Sequence, residues 1–204
     1  MTQIYVVRHG ATALNESDGG VDRIRGWKDV PLSDKGREEA KGLATLLGPS
    51  NIDVLFHSTL SRASDTAADI AGTTGAPMVA APWLRPWDLG EFTGQESQAV
   101  HPILCEYVIK HPDEPVPGGE SFNAFKARVF AGMGTALAKG VYRLPAFVTH
   151  HRVERVLAAW DRINQPADYA IDPAEMLQHG ARTAAARKML IKLGRFTRRM
   201  TDAA

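Results

Sequence analysis

The first apolar run and the tripeptide that ends it constrain this fold more than any other stretch. Ile4-Tyr5-Val6-Val7 is β-branched or aromatic and leads directly into Arg8-His9-Gly10. A short, continuous apolar run of this kind reads as a strand buried on both faces. It starts almost at residue 1, which leaves no room for a leader before it. It ends on a guanidinium, an imidazole and a glycine, which are groups for chemistry rather than for a core. In an open parallel sheet, ligands bind beyond the carboxyl ends of the strands, so a site is expected there.

Three further runs share this character. Asp53-Val54-Leu55-Phe56 is followed by His57-Ser58, Met78-Val79-Ala80 is a short third strand, and Pro145-Ala146-Phe147-Val148-Thr149 ends in His150-His151. Helical spacing separates them. Ser33 is a plausible N-cap for a helix whose stripe is Ala40, Leu43, Ala44 and Leu47, stopped by Gly48-Pro49. Further helices are expected from about 60 to 72, from 97 to 110, after Ser121 and from 153 to 160. Buried strands alternating with helices predict an α/β fold, a mostly parallel central sheet flanked by helices on both faces. The loops 10–30 and 84–94, and the Pro/Gly-rich stretch 112–119, lack either periodicity. Long loops of this kind are often functional.

Composition sets limits. The 204 residues, 44% apolar and 23% charged with a formal net charge of +1, suit a single domain spanning 1–204. Within it, 84–120 is expected as an irregular, partly helical insertion on the substrate side. One cysteine, Cys105, cannot form an internal disulfide. That points to a reducing, cytoplasmic location. No run is long enough for a membrane span. From Gly180 onward seven basic residues face Asp202 alone, which leaves 22 acids against 17 bases elsewhere. In 181–204 the residues Met189, Leu193, Phe196 and Met200 form a helical stripe among arginines and lysines. A basic C-terminal helix or tail docked on the domain is expected, rather than a nucleic-acid or membrane surface.

If the strands are parallel neighbours, their ends bring Arg8, His9, Ser58, Arg62 and His150-His151 to one edge. Two arginines converging on histidines are costly unless an anion compensates them. Planar guanidinium groups hold phosphate bidentately, and a histidine can attack phosphorus as a covalent nucleophile. His101 and Cys105 stand one helical turn apart, but no second pair accompanies them to make a metal site.

Several motifs in order carry a resemblance. Arg8-His9-Gly10, Asn15, Arg25-Gly26-Trp27-Lys28-Asp29-Val30-Pro31-Leu32-Ser33, Ser58-Thr59-Leu60-Ser61-Arg62-Ala63 with Thr66-Ala67, Pro117-Gly118-Gly119-Glu120-Ser121 with Arg128, and Val148-Thr149-His150 resemble the histidine phosphatase superfamily, the phosphoglycerate mutase-like proteins. The similarity runs from about residue 3 to 160. It implies a phosphomonoester hydrolase in which His9 becomes phosphorylated. Arg8, Arg62 and His150 would line the phosphate pocket, with Asn15, Arg25 and His151 as further substrate-binding candidates. It implies no cofactor and no metal, a small phosphorylated substrate, no nucleic acid, and a possible homodimer.

Two departures stand out. The family's proton-donating glutamate is replaced by Pro86 within Leu84-Arg85-Pro86-Trp87-Asp88-Leu89-Gly90-Glu91. In an extended segment, side chains two apart share a face, so Asp88 is the first substitute and Glu91 the second. His151 stands where the family has glycine; it could add a donor, narrow the pocket or sit on the surface. With the acid displaced, a non-catalytic phosphate- or phosphoprotein-binding module is the rival reading, and a mutase a more distant one.

Overall fold

In a computed structural model, residues 1–15, 21–138, 141–177 and 184–192 are described. The elements run β1 (Thr2–Arg8), α1 (Asp34–Leu47), β2 (Val54–His57), α2 (Ser61–Thr74), β3 (Met78–Ala80), α3 (Ser97–Ile109), α4 (Phe122–Ala138), β4 (Pro145–Thr149), α5 (His151–Arg162), α6 (Pro173–Met176) and β5 (Ala185–Ile191). Short 3-10 turns occupy Ala13–Asn15, Pro82–Leu84 and Gly90–Phe92.

The sheet order is β3-β2-β4-β1-β5. The first three pairings are parallel, while β5 runs antiparallel to β1. Side-chain alternation along each strand splits the core in two. Ile4, Val6, Val54, Phe56 and Phe147 face one way, packed with α3, α4 and α5. Val7, Leu55, Ala146 and Val148 face the other way, packed with α1 and α2. Both faces are therefore covered, as continuous apolar strands require.

The local signals behave as the sequence suggests. Ser33 accepts a hydrogen bond from the Gly36 amide and caps α1, and Ser121 does the same for Ala124 at the start of α4. Gly75 ends α2 in the left-handed region.

The C-terminal expectation is corrected. Ala185–Ile191 is not helical but an edge strand, with Met189 and Ile191 buried and Leu190 exposed. β1 offers a free edge whose backbone groups need partners, and seven residue pairs from Thr2↔Ile191 to Arg8↔Ala185 satisfy it. Of the stripe read as helical, Leu193, Phe196 and Met200 lie outside the described residues.

Candidate active site

Register places the chemistry. Arg8 pairs with Thr149 across β1 and β4, and the ladder continues with the His9 amide donating to the Thr149 carbonyl at 3.1 Å. On the other side of β4, the Ser58 amide donates to the Val148 carbonyl at 2.9 Å. The ends of β2, β4 and β1 are thus adjacent, and their trailing residues share one edge. His9 and His150 stand edge to face with ring centroids 4.9 Å apart.

The turn out of β1 depends on a close approach between backbones. A Cβ on Gly10 would stand 2.2 Å from the Gly36 carbonyl oxygen, and one on Gly36 1.9 Å from that of Ala11. Glycine at both positions lets the loop after His9 lie directly on the first turn of α1.

Arg8, His9, Arg25, Arg62, His150, His151 and Arg152 line a cavity of about 670 Å³, with Pro86, Trp87 and Leu89 forming part of its wall. That volume lies within the usual range of small-molecule sites, about 300–1,000 Å³. Arg62 is fully buried and is aimed by two carbonyls of the preceding loop, donating to Lys28 O at 3.0 Å and Gly26 O at 3.1 Å. Desolvation, then Arg25, pulls its pKa down to about 10, so it stays charged at neutral pH. Burial also lowers the pKa of Arg8.

The two facing histidines share one charge state. Burial, then the Arg62 charge, holds both His9 and His150 well below the ordinary imidazole range, so both are neutral at pH 7. His9 Nδ1 lies 2.6 Å from the Gly10 carbonyl. A carbonyl only accepts, so Nδ1 carries the proton and Nε2 keeps its lone pair. His150 Nε2 meets the Ser58 hydroxyl at 2.8 Å, while its buried Nδ1 has no partner among the described residues. Desolvation, then Arg8, takes His151 down to about 3. Its buried Nε2 also lacks a partner, so this ring belongs to the cavity and not to the surface.

The wall carrying Pro86 is clamped from behind. Arg128 donates to the carbonyls of Trp83 at 2.9 Å, Arg85 at 3.1 Å and Pro86 at 3.1 Å, and forms an ion pair with Glu120. Glu120 in turn accepts the Asp88 amide at 2.9 Å, and Trp27 Nε1 donates to the Pro86 carbonyl at 2.8 Å. Gly119 packs against the Asp88 carbonyl. The Gly-Gly-Glu-Ser motif and Arg128 therefore act on the cavity through the 83–88 segment.

This clamp decides where the acid candidates point. The segment between the two 3-10 turns is not an extended strand, so the two-apart rule fails. The Asp88 carboxylate turns back to accept the Gly90 amide at 3.2 Å, and Asp88 does not line the cavity. Glu91 is exposed, with its amide bonded to Pro117 O, and is likewise outside the cavity lining. Among the described residues, the carboxylates that line it are Asp22, paired with Arg25 at 3.0 Å, and Glu96, paired with Arg23 at 3.5 Å. Asn15 closes a 3-10 turn, and its side chain lies outside what the structure describes.

Other lining residues carried no sequence signal strong enough to single them out. Arg155 is fixed by Glu175, through an ion pair at 2.8 Å and bonds to its carbonyl. Trp87 is completely buried, and Arg152 lies over its ring at 5.7 Å. Arg152 directly follows the histidine pair, which was the available clue. His101 lines the cavity with Nε2 3.5 Å from Cys105 Sγ, and among the described residues no group of three metal-ligating side chains forms. No described helix is long and apolar enough to cross a membrane.

Comparison with known proteins agrees with this geometry. The family model of the histidine phosphatase superfamily (branch 1) matches residues 4–177. The probable phosphoglycerate mutase GpmB of Enterobacter sp. (strain 638) is 31% identical over 157 residues, covering 74% of this chain and 70% of that protein. Among solved structures, a mycobacterial glucosyl-3-phosphoglycerate phosphatase superposes with a TM-score of 0.73 at 22% identity, over 92% of this chain and 89% of that one. A putative alpha-ribazole-5'-P phosphatase from Escherichia coli gives 0.69 at 23% identity, over 91% and 94%. These two likenesses concern the fold. The matched family model and the sequence relative together establish that this chain belongs to the histidine phosphatase superfamily.

Proposed function

We propose that this protein hydrolyses phosphomonoesters through a phosphohistidine on His9. The observation that carries the reading is the pairing of a neutral, tautomer-fixed His9 with buried, charged Arg8 and Arg62 in one cavity. A phosphate entering there meets guanidinium groups already held in place, so charge on its equatorial oxygens is stabilised without reorganisation. His9 Nε2 donates its lone pair to phosphorus, and the bond from phosphorus to the ester oxygen breaks. A proton from the site or solvent goes to that oxygen, and the alcohol departs. Water then attacks phosphorus, the P–N bond breaks, and inorganic phosphate leaves with His9 neutral again.

His150 supports the first step in this reading. With the Ser58 hydroxyl donating to Nε2, Nδ1–H is the free donor and can bond a phosphate oxygen. The leaving-group proton is the weak point. Pro86 has none to give, and Asp88 and Glu91 point away. Esters with acidic leaving groups should therefore be the best substrates. Small phosphorylated compounds fit the cavity, and hydrolysis is favoured over mutase chemistry because the glutamate position holds proline.

Release of p-nitrophenol from its phosphate ester tests the reading, since that leaving group needs little protonation. Turnover that disappears in His9→Ala supports it. A wild-type protein inert on this ester, with phosphate still bound, would favour the binding-module reading.

A further inference from the structure

The phosphate pocket does not use all the positive charge in the cavity. Among the described residues, five arginines line it: Arg8, Arg25, Arg62, Arg152 and Arg155. Arg25 is held by Asp22 and Arg155 by Glu175. Arg8 and Arg62 belong to the phosphate pocket. Arg152 remains. Among the described residues it makes no hydrogen bond and no ion pair, and its guanidinium rests over the Trp87 ring at 5.7 Å.

This placement is unfavourable for a cation by itself. Arg152 is in the first turn of α5, where the helix already presents positive charge, and cations are disfavoured there. Desolvation, then the neighbouring Arg25 charge, lowers its pKa to about 10. The groups that favour its charge are the Cys105 thiol and Asp22, and Asp22 is already committed to Arg25. A partly buried cation held against an aromatic shelf, beside like charge and with no carboxylate paired to it among the described residues, is preorganised for an anion from outside.

Arg152 stands on a different element from the arginines that bear most on the facing pair: Arg62, Arg25 and Arg8 act on His9 and His150, whereas Arg152, in the first turn of α5, comes after Arg8 among the charges acting on His151. His151, the residue before Arg152, also lines the cavity and has a buried Nε2 with no partner among the described residues.

We propose that Arg152, on its Trp87 shelf, forms a second anion subsite, so that the preferred substrate is a phosphomonoester whose leaving group carries a further carboxylate or phosphate. The proposal rests on the phosphatase reading only for the seat of the first phosphate. Binding tests it without turnover. Calorimetry on the wild-type protein compares alkylphosphonates with phosphonocarboxylates and with alkane bisphosphonates of matched chain length. The two doubly anionic series separate a carboxylate from a second phosphate as the natural group.

At least one series should bind about tenfold more tightly than its alkyl control, the worth of one charge-assisted hydrogen bond. Arg152→Gln should remove most of that preference, and Arg152→Lys should retain part of it because a point charge remains. No preference in the wild type, or a preference that survives Arg152→Gln, overturns the subsite. The p-nitrophenyl phosphate assay reports separately on catalysis. Preference without turnover would keep the subsite and remove the phosphatase reading, and turnover without preference would do the reverse.

Discussion

Arg128→Met should be among the most damaging single changes outside the cavity. The guanidinium satisfies three main-chain carbonyls, of Trp83, Arg85 and Pro86, and neutralises Glu120. Removing it strands a carboxylate whose side chain is 20% exposed. Breaking one partner of a buried ion pair costs about 3–5 kcal/mol. Residual solvent access to both partners reduces this to about 2–4 kcal/mol. For a domain of this size each kcal/mol moves Tm by about 2–4 °C, so a fall of roughly 5–15 °C is expected. Glu120→Met in the same background should recover part of the loss, because no charge is then left unpaired. Urea unfolding of wild type, both single variants and the double variant measures the coupling. Stabilities that add without coupling, or a loss under about 1 kcal/mol, would refute the clamp. Because Pro86 and Trp87 form cavity wall, kcat/KM should fall with stability in Arg128→Met and recover less fully in the double variant.

Other outcomes follow from the same geometry. Pro86→Glu should raise the rate on alkyl phosphates by up to about 10²-fold, the lower end of what a positioned general acid supplies, while changing p-nitrophenyl phosphate turnover much less. Asp88→Asn should leave the ratio of these two rates unaltered, and a collapse of alkyl phosphate turnover in that variant would restore Asp88 as the acid. Three histidines, His9, His150 and His151, are held below their ordinary pKa by burial. Their unfolded forms take up protons first, so stability is full above about pH 6.5 and is lost as pH falls below it. Each contributes a slope of up to about 1.4 kcal/mol per pH unit. Denaturant midpoints that stay flat from pH 7 to 5 would contradict their burial as neutral rings. Gly10→Ala, whose Cβ would meet the Gly36 carbonyl at 2.2 Å, should unfold at lower temperature and lose activity, as scanning calorimetry and the ester assay would show.

The parts of this protein that sequence reveals are those where local chemistry and tertiary need agree. β1 and β4 are apolar on both faces because helices cover both, and their ends carry Arg8-His9 and His150 because loops there are free to do chemistry. Their adjacency, conditional in the sequence, is settled by the β1–β4–β2 register. β5 was hidden because Met189 also fits a helical stripe. The alternation of buried Met189, exposed Leu190 and buried Ile191 was present, but the free edge of β1 that selects the strand is a tertiary fact. Asp88 illustrates the same limit. Its direction depends on the turn at Gly90 and on the Glu120–Arg128 clamp more than thirty residues away. The Arg155–Glu175 pair is likewise invisible in a stretch whose members are twenty residues apart.

The central claim is that His9 forms a covalent bond to phosphorus. Rapid-quench turnover of p-nitrophenyl phosphate, followed by peptide mapping under alkaline conditions that preserve phosphohistidine, tests it most directly. The predicted result is an acid-labile phosphate on the peptide containing His9, formed in a burst no larger than the enzyme concentration and absent from His9→Ala. Undiminished turnover in His9→Ala, or phosphate trapped on a different residue, would contradict the account.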